Sequence, residues 1–449
     1  MLDIANQSWG VWGPITRRDF IRLGALGMMG VLLPDWLRSQ AFAGTAEART
    51  KSVIQLWLGG GPSHLDTFDP KPGAGADYCG PYTKPIETNV AGIRISEALP
   101  MLAKQADKYS ILRGMTHSNN GHETATYMMQ TGTMPSGDLV YPAIGAVIAM
   151  KKGGQPGYNK VLPPFIMVTQ SLGRFSEGGF LGTKYNAYAT GGAMRDKDLQ
   201  IGGAVGEAAE QRLRDRRTLL QSLDSAAQME GQDAPREVDA FREQAYDLVL
   251  GEAKKVFDLS SEKGELRDRY GRTKFGQSCL LARRLAEAGT PFVTVNWGGW
   301  DTHKKHFERM KEMLPDLDRG FSALLEDLDQ RGLLKTTMVV CGGEFGKTPK
   351  IDQAPPWDGG RGHWGNAFSW VVAGGGFKGG AVVGATDFRG ENVRERPVYP
   401  WDLSASIYKL LGIDPNEKLP HPQGCVAYVT PTAGGGVASG GMLTEIMEG

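Results

Sequence analysis

Cysteine and histidine are scarce in this chain of 449 residues, with four of the first and seven of the second. Cys79, Cys279, Cys341 and Cys425 are far apart and form no C-x-x-C, so they describe neither a zinc framework nor a disulfide-dense small scaffold. One or two bridges are open to them, with no pairing assigned. Net charge is lacking as well: 50 Lys and Arg stand against 50 Asp and Glu, which removes the global electrostatic argument for a nucleic-acid partner. No apolar run reaches the length of a bilayer span, so no permanent membrane span is expected. Gly59-Gly60-Gly61 follows a strand-like run, but neither G-x-x-x-x-G-K-[ST] nor G-x-G-x-x-G is present, which excludes a nucleotide phosphate loop there.

What is present begins with an address. Thr16-Arg17-Arg18-Asp19-Phe20 precedes a short apolar segment, Leu23–Leu33, and then Ala41-Phe42-Ala43, a small-x-small cleavage signal. The three parts together resemble a twin-arginine export signal. The expectation is a signal peptide over residues 1–43, the twin-arginine export machinery as a partner, and a periplasmic or extracellular location for residues 44–449.

Beyond it, strands and helices alternate. Lys51–Leu58, Tyr109–Arg113, Pro164–Thr169, Pro291–Asn296, Thr337–Cys341 and Ala367–Ala373 read as strands by their β-branched and apolar runs. Thr124–Gln130, Phe275–Ala288, Leu314–Leu333 and Trp401–Leu411 read as helices, the second and third closed by Gly289 and Gly332. Residues 204–261 are strongly charged and helical in pattern, an insertion whose charges make solvated faces. Such alternation predicts an α/β fold with a mostly parallel sheet, helices on both faces and a site beyond the carboxyl ends of the strands.

Asp301 and His303 fall just after one of these strands, two residues apart, so that extended backbone would aim both side chains to one side. Alone, an Asp-x-His is more simply a loop hydrogen bond. The other histidines argue for more. His64, His117, His122, His303 and His306 all follow predicted strands, His363 lies in a Gly-flanked loop, and only His421 stands outside the pattern. Histidines placed at random would have no reason to avoid the helical insertion. A carboxylate and imidazoles gathered at one edge suit a divalent metal. The polar segment before the helix at 124–130 also sets unsatisfied N–H groups and the positive dipole end beside His122.

The segments GGGPSHLDTFDPKP, RYGRTKFGQSCLLARRLAEAG, GGWDTH, GGEFGKTP and GHW resemble a family of twin-arginine-exported proteins with a domain of unknown function, over nearly all of Lys51–Leu411. By motif order the chain is also similar to the alkaline phosphatase/sulfatase superfamily. That resemblance implies an alkaline-phosphatase-like three-layer α/β/α sandwich and one or two divalent ions, of which zinc, manganese and iron suit mixed Asp/Glu/His ligation best. It implies one intact metal site of Asp301, His303 and His363, and a second, rebuilt one of Asp66 and Glu344 with His64 or His122. Met129–Gly132 resembles the segment that follows the sulfatase nucleophile, which places His122 at the nucleophile position, as ligand, base or nucleophile. Phe345 stands where a ligand histidine is expected and cannot coordinate. The function implied is a metal-dependent hydrolase of phosphate or sulfate esters, acting on a small anionic ester or a sulfated or phosphorylated polymer. The alternative is a catalytically degenerate metal- or anion-binding envelope protein on the same fold.

Overall fold

The first strand, β1 (Ser52–Gly59), is buried almost throughout, as its unbroken apolar run requires. In the computed structural model, which describes residues 50–135, 140–154, 158, 162–191, 211, 214–215, 217–218, 251 and 253–448, it lies inside an eight-stranded sheet. The signal-like segment and most of the 204–261 insertion lie outside the described residues. The other strands are β2 (Tyr109–Met115), β3 (Phe165–Val168), β4 (Tyr188–Ala189), β5 (Phe292–Gly298), β6 (Thr337–Gly342), β7 (Phe368–Ala373) and β8 (Val382–Val383), in the spatial order β8-β2-β7-β6-β1-β5-β3-β4. Only β7 runs antiparallel to its neighbours, β2 and β6; the remaining pairs are parallel.

Side chains alternate along β1 and divide the core in two. Ile54, Leu56 and Leu58 pack with Leu280, Leu281 and Leu285 of α3 (Lys274–Glu287) and Leu317 and Leu324 of α4 (His306–Gln330). Val53 and Trp57 pack on the opposite face with Met129 of α1 (His122–Thr131), Val147 of α2 (Ile144–Lys152) and Ile407 of α5 (Pro400–Leu410). Each such aliphatic side chain removed from water contributes about 1.5–3 kcal/mol. The product is the three-layer α/β/α arrangement expected from the sequence.

Two details depart from expectation. Helix α4 begins at His306, ahead of the predicted start at Leu314, and carries Pro315 in its interior. The buried stripe explains this: Met310, Met313, Leu314 and Leu317 already follow helical spacing, and their burial outweighs the proline. All four cysteines are free, so no bridge forms. No helix among the described residues is long and apolar enough to cross a membrane.

For the site, the register matters most. Gly59 is level with Gly298, and Trp57 with Gly342, so the neighbouring strands β6, β1 and β5 finish close together and deliver their three loops to one edge of the sheet.

Candidate metal centre

The loop after β5 carries Asp301 and is held against the loop after β1. Trp300 donates its backbone N–H to Gly59 O (3.2 Å) and is itself fully buried. Gly60 has φ of +111°, and a Cβ there would stand 2.3 Å from Asp301 N. Its N–H donates to both oxygens of Glu344, from the loop after β6, at 2.9 and 3.1 Å. Glycine is therefore required on two counts. Gly60→Ala is expected to cost about 1–3 kcal/mol through backbone strain alone, with displacement of Asp301 added. An unchanged thermal midpoint in the variant would contradict this account.

Asp301 is the hub of the cluster. Its Oδ1 lies 3.0 Å from His303 Nε2 and 3.0 Å from His363 Nε2, and those two nitrogens are 2.9 Å apart. Its Oδ2 lies 3.3 Å from His122 Nε2. His122, Asp301 and His363 offer ligand atoms that all fall within 4.8 Å of one another. Asp301 is 38% exposed, so solvent reaches the cluster. Helix α1 presents His122 from its first turn, and a short antiparallel ladder sets His363 directly opposite Lys347.

The outer contacts decide the tautomers. His122 Nδ1 lies 2.7 Å from Glu344 Oε1, and His363 Nδ1 lies 2.8 Å from Asn120 O. Carboxylate and carbonyl oxygens only accept, so each Nδ1 carries the proton. In their neutral forms both rings then aim a bare Nε2 at the Asp301 carboxylate. A lone pair facing a carboxylate oxygen needs a cation beside it: the Lys347 ammonium is one at Oδ1, and a proton or a metal ion would serve at Oδ2. This is the support that metal-binding histidines ordinarily receive. An ion about 2.0–2.1 Å from each tetrahedral ligand separates its donors by roughly 3.4 Å, close to the 3.3 Å between His122 and Asp301. The donor set fits a divalent ion. His303 is less prepared: its Nδ1 is buried without a hydrogen-bond partner.

Electrostatics agree with the geometry. The hydrogen bond to Glu344 raises the His122 pKa above its ordinary value, with Asp301 adding to it. Partial burial opposes the charge of Asp301, yet its contacts with His363 and Lys347 hold the carboxyl well below the usual range. Burial lowers the pKa of His303.

Two of the expected ligands are corrected. Asp66 is fully buried and spent elsewhere: Oδ2 accepts from His306 Nε2 at 2.8 Å and lies 3.1 Å from Arg361 Nε. His64 is buried too, its Nε2 2.8 Å from Gly390 O. The reason is local. After two glycines of positive φ the chain coils back on His64 O, which accepts from Thr67 N and Asp69 N, and both side chains turn inward. Glu344 reaches the site as the partner of His122. Phe345 lies flat against His363, ring centroids 4.4 Å apart. The sequence reading missed Lys347, whose Nζ is 2.6 Å from Asp301 Oδ1, and Arg361, which ties the Asp66 network to the loops. No spacing rule marks either, although both sit in or beside the motifs GGEFGKTP and GHW.

A cleft of about 510 Å³ opens beside the cluster, lined by Trp357, Trp364, Lys350, Asp352 and Glu391 among others. Trp357 faces His303 with ring centroids 5.4 Å apart.

Fold and site thus define a class, an α/β/α protein with an imidazole–carboxylate cluster at the carboxyl ends of a mostly parallel sheet. The chain belongs to the family described as "Protein of unknown function (DUF1501)", whose profile matches residues 50–440. No protein of curated description matches it significantly. Solved structures similar to it include a protein in the alkaline phosphatase superfamily from Vibrio parahaemolyticus, with a TM-score of 0.38 and 10% identity over 88% of this chain and 72% of that one. The PsFucS1 sulfatase from Pseudoalteromonas sp. gives 0.36 and 13% over 82% and 68%. The lipoteichoic acid synthase LtaP from Listeria monocytogenes gives 0.34 and 12% over 82% and 74%.

Proposed function

We propose that the cluster binds a divalent metal ion through His122, Asp301 and His363, with His303 beside them, and that the protein is an exported hydrolase of phosphate or sulfate esters. The observation that carries the metal is the pair of bare Nε2 atoms, fixed by Glu344 and Asn120 O, that converge on Asp301. Zinc, manganese or iron suits this mixed nitrogen and oxygen set. When bound, such an ion supplies Lewis acidity toward an ester oxygen and acidifies water.

The chain's own groups supply the rest. Glu344 is 3% exposed and orients His122 as the acidic member of a dyad, leaving Nε2 open toward the cluster. The uncapped first turn of α1 offers N–H groups and its positive dipole end to an anionic substrate. The open cleft at Trp357 and Trp364 gives the organic part of an ester a place to lie. The twin-arginine-like segment gives the proposal its location outside the cytoplasm.

A second reading, a metal- or anion-binding protein without turnover, draws on Phe345. Its ring occupies one wall of the site and coordinates nothing. Elemental analysis of the purified protein, together with a panel of aryl phosphate and aryl sulfate esters, separates the two. Metal with turnover, lost in His122→Ala, is the expected result. Metal without turnover on any ester favours the second reading, and absence of both sinks the two together.

A further inference from the structure

Lys347 is a costly residue to place where it is. Its side chain is 0% exposed, and burial alone lowers its pKa. A buried ammonium contributes little to stability compared with an apolar pair of the same shape, so its position calls for another reason. Nζ lies 2.6 Å from Asp301 Oδ1, the same oxygen that His303 Nε2 and His363 Nε2 approach at 3.0 Å. The far side of the ammonium faces the Phe345 ring, 5.6 Å from its centroid, a surface that attracts a cation and cannot ligate one. The backbone holds it there. Lys347 pairs across the ladder with His363, and Gly346 before it packs so closely that a Cβ there would stand 2.8 Å from Ala367 O.

The two oxygens of Asp301 thus have different partners. Oδ2 turns to His122, and Oδ1 is taken by an ammonium amid His303 and His363. We infer that Lys347 is the fixed second cation of this site, filling the position that a second metal ion would otherwise take on Asp301 Oδ1. The cluster then accepts a single divalent ion, on the Oδ2 side, among His122, Asp301 and His363. Charge agrees with this count. The carboxylates of Asp301 and Glu344 against one ammonium leave a single net negative charge, which one divalent ion converts to a single positive charge suited to an anionic ester. The inference rests on the metal reading above and goes beyond it by fixing the stoichiometry and assigning the cause to one residue.

The test is a count of Mn²⁺ ions per chain, by calorimetric titration of metal-free protein and by native mass spectrometry, for wild type, Lys347→Ala and Lys347→Arg. One ion in the wild type, one in Lys347→Arg and two in Lys347→Ala is the expected result. Two ions in the wild type, or one in Lys347→Ala at any affinity, overturns the inference. No ion in the wild type removes the metal reading itself, a separate failure. If Lys347→Ala does not give a folded protein by circular dichroism, Lys347→Gln takes its place with the same expected count.

Discussion

Asp301→Asn is expected to weaken Mn²⁺ binding on the order of 100-fold or more, a loss larger than the 10- to 100-fold typical of supporting residues around a metal. Four close contacts of the cluster pass through this carboxylate: three imidazole nitrogens and one ammonium lie 2.6 to 3.3 Å from its two oxygens. Asparagine keeps the shape but replaces one oxygen by an N–H₂ that repels any ion, and it removes the charge that draws the ion in. It also leaves the Lys347 ammonium buried without its counter-charge, which is expected to cost up to about 3 kcal/mol, less than for a sealed interior because solvent reaches Asp301. A double variant tells metal loss from fold loss. Asp301→Asn with Lys347→Met removes both charges, so the thermal midpoint should return most of the way to wild type while the ion still fails to bind. If titration calorimetry gave Asp301→Asn the affinity of the wild type, the cluster would not be the metal site.

Much of the fold was legible in the sequence because each central strand is buried on both faces and reads as an apolar run closed by glycine. His363 was legible as a histidine in a Gly-flanked loop, and Asp301 and His303 for a reason related to the strands. Polar residues that end such runs among glycines have few structural duties there. The remainder of the cluster was hidden because it depends on how the loops turn. Glu344 and His122 were both singled out, but that Glu344 fixes the His122 tautomer is a fact of side-chain direction, which sequence spacing does not carry. Lys347 was hidden by its type, since lysine is almost never fully buried. His306 is the first residue of α4, whose start was read eight residues late, and it therefore looked like one more histidine of the site edge. Asp66 looked like a ligand by its place after β1; only the coil of the chain around His64 shows it turned inward.

That turn makes Asp66 the residue with the largest expected effect on stability. Its carboxylate, with His306 and Arg361, is 0% exposed, and the three form one buried network. His306 Nδ1 lies 2.6 Å from Thr302 Oγ1, between Asp301 and His303 in sequence, while Arg361 donates to Thr348 O at 2.9 Å, beside Lys347, and stands two residues before His363. Three loops of the cluster are thus tied to one carboxylate that never reaches it. Asp66→Asn leaves the Arg361 guanidinium buried and uncompensated, for an expected loss of about 3–5 kcal/mol. The pH dependence follows with a definite sign. Burial alone would raise the Asp66 pKa, but Arg361 and His306 outweigh it and bring it down from 3.8 to about 2. The unfolded chain therefore binds the proton more readily, so this contribution is complete above the unfolded value and is lost as pH falls through about 2. By linkage it amounts to about 2–3 kcal/mol, and that slope should vanish in Asp66→Asn, as urea unfolding between pH 5 and 2 would read out. The comparison with Asp301 decides between the two placements of an acidic residue after β1. A ligand at position 66 would lose metal affinity on mutation with stability nearly kept. A buried anchor loses stability first, and affinity only as far as the loosened loops let Asp301 and His363 drift apart.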